Sequence, residues 1–162
     1  MPIIRWETAV QAPPERCFDL ARSVDLHVDS STEIAARAVA GRCAGLSENG
    51  DATVWSARFL GLRFAMETRV EDFWRPTGFR DVMTHGHRRR IAHLYRFGPL
   101  PEGGCLMSDG LRVEAPLSVL GRIAERAYLV GRMRHLVRRR LEHIKAVAEG
   151  DGWRTYLGNR SG

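Results

Sequence analysis

FRDVMTHGHRRRIAHLYRFGPLPEGGCLMSDGLRVEA, residues 79–115, alternates apolar and polar side chains through three successive segments. Side chains along a strand point to opposite faces with period two, so each segment has two readable faces. One face carries Phe79, Asp81 and Met83, then Ile91, His93, Tyr95 and Phe97, then Cys105, Met107, Asp109, Leu111 and Val113. The other carries Arg80, Arg90, Arg96, Arg112 and Glu114, and reads as solvated. The first face is apolar except for Asp81, His93 and Asp109, which is the pattern of a lined cavity.

A three-residue turn at Gly86 to Arg88 pairs Met83 with Ile91 and Asp81 with His93. A longer loop from Gly98 to Gly104 pairs Phe97 with Cys105 and sets His93 opposite Asp109. The expected result is a row, Asp81, His93, Asp109, across three strands. An imidazole between two carboxylates is expected to stay protonated, because opposite charges favour the charged form. Two roles fit such a row: a satisfied polar cluster bracing the sheet, or a polar anchor inside an apolar pocket.

Upstream, Ile4, Trp6, Thr8 and Val10 alternate with Arg5, Glu7 and Ala9 in a first strand that ends at Ala12-Pro13-Pro14. Pro14 opens a short helix through Ala21, and Val24 to Ile34 reads as a second, with Ser23 as N-cap and Asp25 in its first turn. Strands follow at Ala36 to Ala44 and Ala52 to Leu60, the latter with Trp55, Ala57 and Phe59 on one side. A two-residue loop at Gly61-Leu62 then sets Phe59 opposite Phe64, Ala57 opposite Met66 and Trp55 opposite Thr68. With the segments after Gly78 this makes a meander of about six strands. Past Pro116, Leu120, Ile123, Ala127, Val130, Val137, Leu141, Ile144 and Ala148 recur at three- and four-residue intervals, the stripe of one long amphipathic helix ended by Gly150-Asp151-Gly152. Residues 1–150 form one domain, and 151–162 read as a frayed tail without periodicity.

Composition narrows the function classes. A net charge of +6 and a pI near 10.0 invite a nucleic-acid reading, sharpened by Arg88-Arg89-Arg90 and Arg138-Arg139-Arg140. The arginines are spread over nearly every segment beside 19 acidic residues, and no RNA-binding aromatic signature accompanies them, so a solvated basic surface is favoured over nucleic-acid binding. Cys17, Cys43 and Cys105 are widely spaced and odd in number, which points to neither a disulfide framework nor a zinc ribbon. The N-terminal sequence lacks the pattern of a signal peptide and no run is long enough to span a membrane, so a cytoplasmic protein is expected, with transient membrane-surface contact left open. A monomer or a homodimer fits equally well.

The order strand, two short helices, about six strands, one long helix places a curved sheet against a single helix. Here the sequence resembles the START-like helix-grip superfamily, also called SRPBCC. The resemblance is carried by Ala12 to Leu20, Trp55-Ser56-Ala57-Arg58, Phe79 to Gly86, His93 to Phe97, Met107-Ser108-Asp109 and Ala115-Pro116-Leu117, with Leu120-Gly121-Arg122 opening the long helix. It implies an α+β fold in which a strongly curved antiparallel sheet of about seven strands wraps around a long C-terminal helix. It also implies a small hydrophobic ligand, a lipid, polyketide or isoprenoid and quinone-like molecule, bound between sheet and helix. Tyr95 stands where a second histidine is common in the bacterial branch, which counts against a two-histidine mechanism.

The residues expected to line the site are Trp55, Phe59, Met66, Thr68, Asp81, Met83, His93, Tyr95, Met107 and Asp109. Three methionines beside aromatics and a few polar groups make an adaptable apolar site. Binding or transport is the first reading. The second is an aromatase/cyclase or dehydratase in which His93 moves protons, Asp81 and Asp109 set its tautomer and Tyr95 polarises a carbonyl. A metal site is disfavoured, since no second histidine has a clear inward position; His85-Gly86-His87 is a weak alternative at a turn. No cofactor is expected, because the chain has no GxSxG, P-loop or GxGxxG context.

Overall fold

A computed structural model describes residues 3–59, 61–85, 89–114 and 123–158. Its elements follow the order read from the sequence. β1 (Ile3–Val10) leads into α1 (Pro14–Ala21) and α2 (Val24–Ser30), then a 3-10 turn at Thr32–Ile34. Six strands come next: β2 (Arg37–Gly41), β3 (Ala52–Phe59), β4 (Leu62–Trp74), β5 (Gly78–His85), β6 (Arg89–Pro99) and β7 (Cys105–Glu114). The long helix α3 (Ile123–Glu149) has 27 residues and so spans about 40 Å at the rise of an α-helix.

All seven strands join in one antiparallel, curved and unclosed sheet, ordered β1-β7-β6-β5-β4-β3-β2. The curvature has local causes. β4, 13 residues long, carries an irregularity between Glu71 and Trp74, with Asp72 at φ 47°, and β2 is irregular between Ala38 and Ala40. Extra residues of this kind bend a strand and increase its twist.

Pro14 starts α1 as its fixed φ allows, and Ser23 caps α2, its side chain accepting from the Leu26 amide at 3.2 Å. α1 lays Cys17, Phe18, Leu20 and Ala21 against the concave sheet face. Phe18 meets Phe73, Phe79 and Phe97 edge-on at centroid distances of 5.1, 5.4 and 5.5 Å. Leu141, Ile144 and Ala148 of α3 close the same core from the other side. A smaller cluster of Ile4, Leu111 and Val137 lies further along the helix, with Ile91, Val130 and Met133 packed against it.

Charge pairs tie the helices down. Asp19, buried at the end of α1, takes Arg22 at 2.7 Å and Arg75 at 2.8 Å. Burial alone would raise its carboxyl, but the two guanidiniums outweigh it and hold it below the ordinary value. Glu33 draws Arg132, His135 and Arg139 of α3 to the 3-10 turn.

Three expectations are corrected. Phe97 pairs with Met107 and Cys105 with Pro99, so His93 stands opposite Leu111, and Asp109 opposite Tyr95. The strands run on into a tight turn in which the Leu100 amide donates to the Gly104 carbonyl at 3.1 Å. Gly104, at φ 90°, permits it, since a Cβ there would meet the Val10 carbonyl oxygen at 2.5 Å. Likewise Phe59 pairs with Leu62, Ala57 with Phe64 and Trp55 with Met66, because the connection falls one residue earlier than expected. Both slips move the pairing by two residues, which leaves every side chain on its expected face. The pairing of Asp81 with His93 and Met83 with Ile91 is as expected, although residues 86–88 lie outside the described residues.

The third correction concerns the tail. Trp153–Leu157 form a short helix, α4, whose Trp153, Tyr156 and Leu157 pack on the main core. Arg16 stacks over the Trp153 ring at 4.3 Å and the Tyr156 hydroxyl donates to Asp29 at 2.6 Å. The motifs from Ala115 to Arg122 fall outside the described residues.

Removing the aromatic hub should cost far more than trimming the convex face. Phe18→Ala is expected to lose about 3–5 kcal/mol of unfolding free energy. Leu94→Ala, at a position 38% exposed, should stay within about 0.5 kcal/mol of the parent. Urea denaturation of both variants checks the contrast.

Candidate functional site

The concave face divides into three zones along the strands. At the inner end Phe79, Tyr95, Phe97, Cys105 and Met107 are packed with Phe18 and the α3 stripe. Tyr95 and Met107 have 0% exposure, so the two expected site residues touch no open space in this state. At the outer end Phe59, Met66 and Met83 are half-buried, and among the described residues none of them packs against either core cluster. Phe64, paired with Ala57, is exposed beside them.

Between these zones lies a recess of about 20 Å³, lined by His27, Thr53, Trp55, Thr68, Asp81 and Arg140 among others. A cavity needs roughly 10–15 Å³ to hold one water, so this space accepts a small polar group and not a whole apolar ligand. Trp55 Nε1 donates to Thr68 Oγ1 at 3.0 Å, which fixes the indole as one wall. His27 of α2 lies against it, the rings 4.3 Å apart. Burial pushes the His27 imidazole well below its ordinary value, with Arg140 and His93 adding to the effect.

The three ionisable residues of the expected row do converge, in a different arrangement. His93 Nδ1 lies 3.2 and 3.3 Å from the two oxygens of Asp109, reached diagonally, while Asp81 sits directly across from His93 on β5. A carboxylate oxygen accepts, so Nδ1 carries the proton in this contact and Nε2 remains for other partners. His93 is 19% exposed at its side chain and Asp109 is fully buried. The His93 ring stacks on Tyr95 at 5.9 Å.

Asp81 behaves unlike an ion between cations. Burial is the largest influence and raises its carboxyl above the ordinary 3.8, although His93, Arg140 and Thr68 pull the other way. The expected row of two charged carboxylates around His93 therefore gives way to an unequal pair: Asp109 bonded to the imidazole, and Asp81 desolvated with its Oδ1 buried and unpartnered. Tyr95 is similar, its hydroxyl buried and its phenol pushed well above the ordinary value, chiefly by burial and further by the neighbouring Asp109 and Asp81 carboxylates.

Arg140 and His27 were not singled out by the sequence reading, which placed Arg138-Arg139-Arg140 on a solvated surface. Arg140 is 8% exposed and donates to the Ala21 carbonyl at 3.1 Å. A signal was present, since Arg140 follows Val137 by three residues and precedes Ile144 by four, inside the apolar stripe. Among the described residues no group of His, Cys, Asp and Glu side chains is arranged to hold a metal ion, and no helix is long and apolar enough to cross a membrane.

No family model and no curated protein matches this sequence. Solved structures do match its shape. A START superfamily protein from Mycobacterium smegmatis aligns with a TM-score of 0.64 at 15% identity, covering 89% of this chain and 97% of that one. The protein has the START-like helix-grip fold. A protein from Thermus thermophilus shares the fold with a TM-score of 0.64, at 21% identity over 91% of this chain and 99% of its own. So does the di-domain ARO/CYC StfQ from the steffimycin biosynthetic pathway, with a TM-score of 0.67 at 15% identity over 91% of this chain and 51% of StfQ. In helix-grip terms, the recess sits where α2 and α3 meet the concave face.

The raised Asp81 carboxyl has a definite sign in stability. Between 3.8 and its higher folded value, the native state keeps a proton that the unfolded chain has released, so this group's contribution falls as pH rises through that window. Asp81→Asn removes the charge to be buried. Its stability relative to the parent is expected to improve from about pH 3 to pH 6, as read by denaturant titration at each pH; an unchanged difference would contradict the assignment.

Proposed function

We propose that this protein binds or carries a small hydrophobic molecule in the space between the concave sheet face and α3. One observation carries the reading: Phe59, Met66 and Met83 share the concave face, stay half-buried, and take no part in either core cluster. Trp55 pairs with Met66, and Thr68 with Met83, so this apolar floor runs directly into the polar recess. Flexible thioethers suit a floor that must adapt to a ligand. A molecule lying there has an apolar body over the methionines and a polar end at Trp55, Thr68 and Asp81.

A second reading rests on His93 and Asp109. A carboxylate that orients an imidazole through Nδ1, next to an open apolar floor, is the arrangement used for proton transfer to and from a bound carbonyl compound. The fold shared with the ARO/CYC StfQ supports an aromatase/cyclase or dehydratase on the same scaffold. Tyr95, packed and without access to open space, serves in either case as the wall behind His93.

Native mass spectrometry of the freshly purified protein is expected to show a co-purifying hydrophobic molecule. The neutral fluorescent probe N-phenyl-1-naphthylamine should bind, and Met83→Glu should weaken it at least about tenfold by placing a charge on the floor. Absence of both adduct and probe binding would sink the proposal. For the second reading, His93→Ala should abolish turnover of a poly-carbonyl thioester while leaving probe binding intact; undiminished turnover rejects a role for the imidazole.

A further inference from the structure

The recess holds a permanent positive charge, Arg140, that makes no ion pair with a carboxylate among the described residues. A guanidinium stays protonated throughout the range in which proteins fold. Arg140 is buried, yet among the described residues it has no carboxylate within 4.0 Å. Its hydrogen bond to the Ala21 carbonyl and its position 5.1 Å from the Tyr95 ring are its polar and aromatic contacts, and its Nε is enclosed without a partner. Arg22, equally buried a short way off, shows the usual solution: Asp19 and Glu48 both lie at 2.7 Å from it. An unpaired buried charge is costly, and buried polar atoms without partners call for an explanation.

Another such atom faces the same space, Asp81 Oδ1 from β5. We propose that Arg140 is the receptor for the acidic head of an amphiphilic ligand, a carboxylate on an apolar body that lies over Phe59, Met66 and Met83. This rests on the ligand-binding reading above and adds the chemical class of the ligand. The lone pairs of a carboxylate take the Arg140 Nε–H, a donor without an acceptor among the described residues. Asp81 lines the same recess, and burial raises its carboxyl above the ordinary value, which lessens its repulsion of such a head. His27, kept neutral by burial, contributes a ring wall without adding charge. A neutral head, an alcohol or an ester, fills the recess but leaves the guanidinium uncompensated.

Isothermal titration of the full chain with dodecanoate, dodecan-1-ol and methyl dodecanoate, each below its aggregation limit, tests this. Dodecanoate is expected to bind on the order of tenfold to a hundredfold more tightly than the alcohol or the ester. Arg140→Gln should erase the preference for dodecanoate over dodecan-1-ol, with circular dichroism checking the fold. Equal binding of all three heads by the parent protein overturns the anion receptor while hydrophobic binding stands, and this comparison needs no variant. Retention of the preference in a folded Arg140→Gln protein also overturns it, by placing the head elsewhere on this arginine-rich chain. If none of the three binds the parent, both the receptor and the ligand-binding reading fail.

Discussion

The contact between Phe18 and the aromatic rings of the sheet holds the architecture together. α1 presents Phe18 to Phe73, Phe79 and Phe97, and Leu141 and Ile144 of α3 complete the same cluster. Edge-to-face aromatic contacts combine large apolar burial with a fixed geometry. Toward the outer end of the concave face Phe59, Met66 and Met83 lie half-buried.

Polar chemistry occupies the boundary between the packed and unpacked ends. The sheet brings Asp81 and His93 together by direct pairing and His93 to Asp109 by a diagonal. α3 adds Arg140 from above, and α2 adds His27 from the side. Of these groups Asp81, Arg140 and His27 meet in a space of about 20 Å³, and His93 adjoins Asp81 by strand pairing. Desolvation is the largest influence on three buried groups here, raising the Asp81 carboxyl and the Tyr95 phenol and lowering the His27 imidazole. Each shift disfavours charge, so Arg140, which cannot shed its own, is left as the dominant charge of the recess.

The sequence was legible to a depth set by the range of each interaction. Which side chains share a face depends only on the local period, so Phe79, Asp81, His93, Tyr95, Met107 and Asp109 were placed correctly on one surface. Register depends on the turns. The turn between β5 and β6 was read correctly, whereas those after Phe59 and Pro99 were not, and both errors were slips of two residues. Since a slip of two preserves the face, the residues stay on the surface expected of them. His93 still meets Asp109, and Trp55 still reaches Thr68.

By itself the sequence determined the order of the elements, the inward and outward faces, the caps at Pro14 and Ser23, and the convergence of three ionisable residues on an apolar surface. All of these follow from backbone periodicity and short-range chemistry. Only the tertiary structure decided that Arg140 turns inward while Arg138 and Arg139 stay exposed, that Tyr95 and Met107 are packed while Met66 and Met83 are not, and that Trp153 to Leu157 return to the core. Those outcomes depend on how far the sheet curls and where a helix distant in sequence comes to rest on it. No local pattern encodes that distance, because it is the sum of small twists and bulges over seven strands.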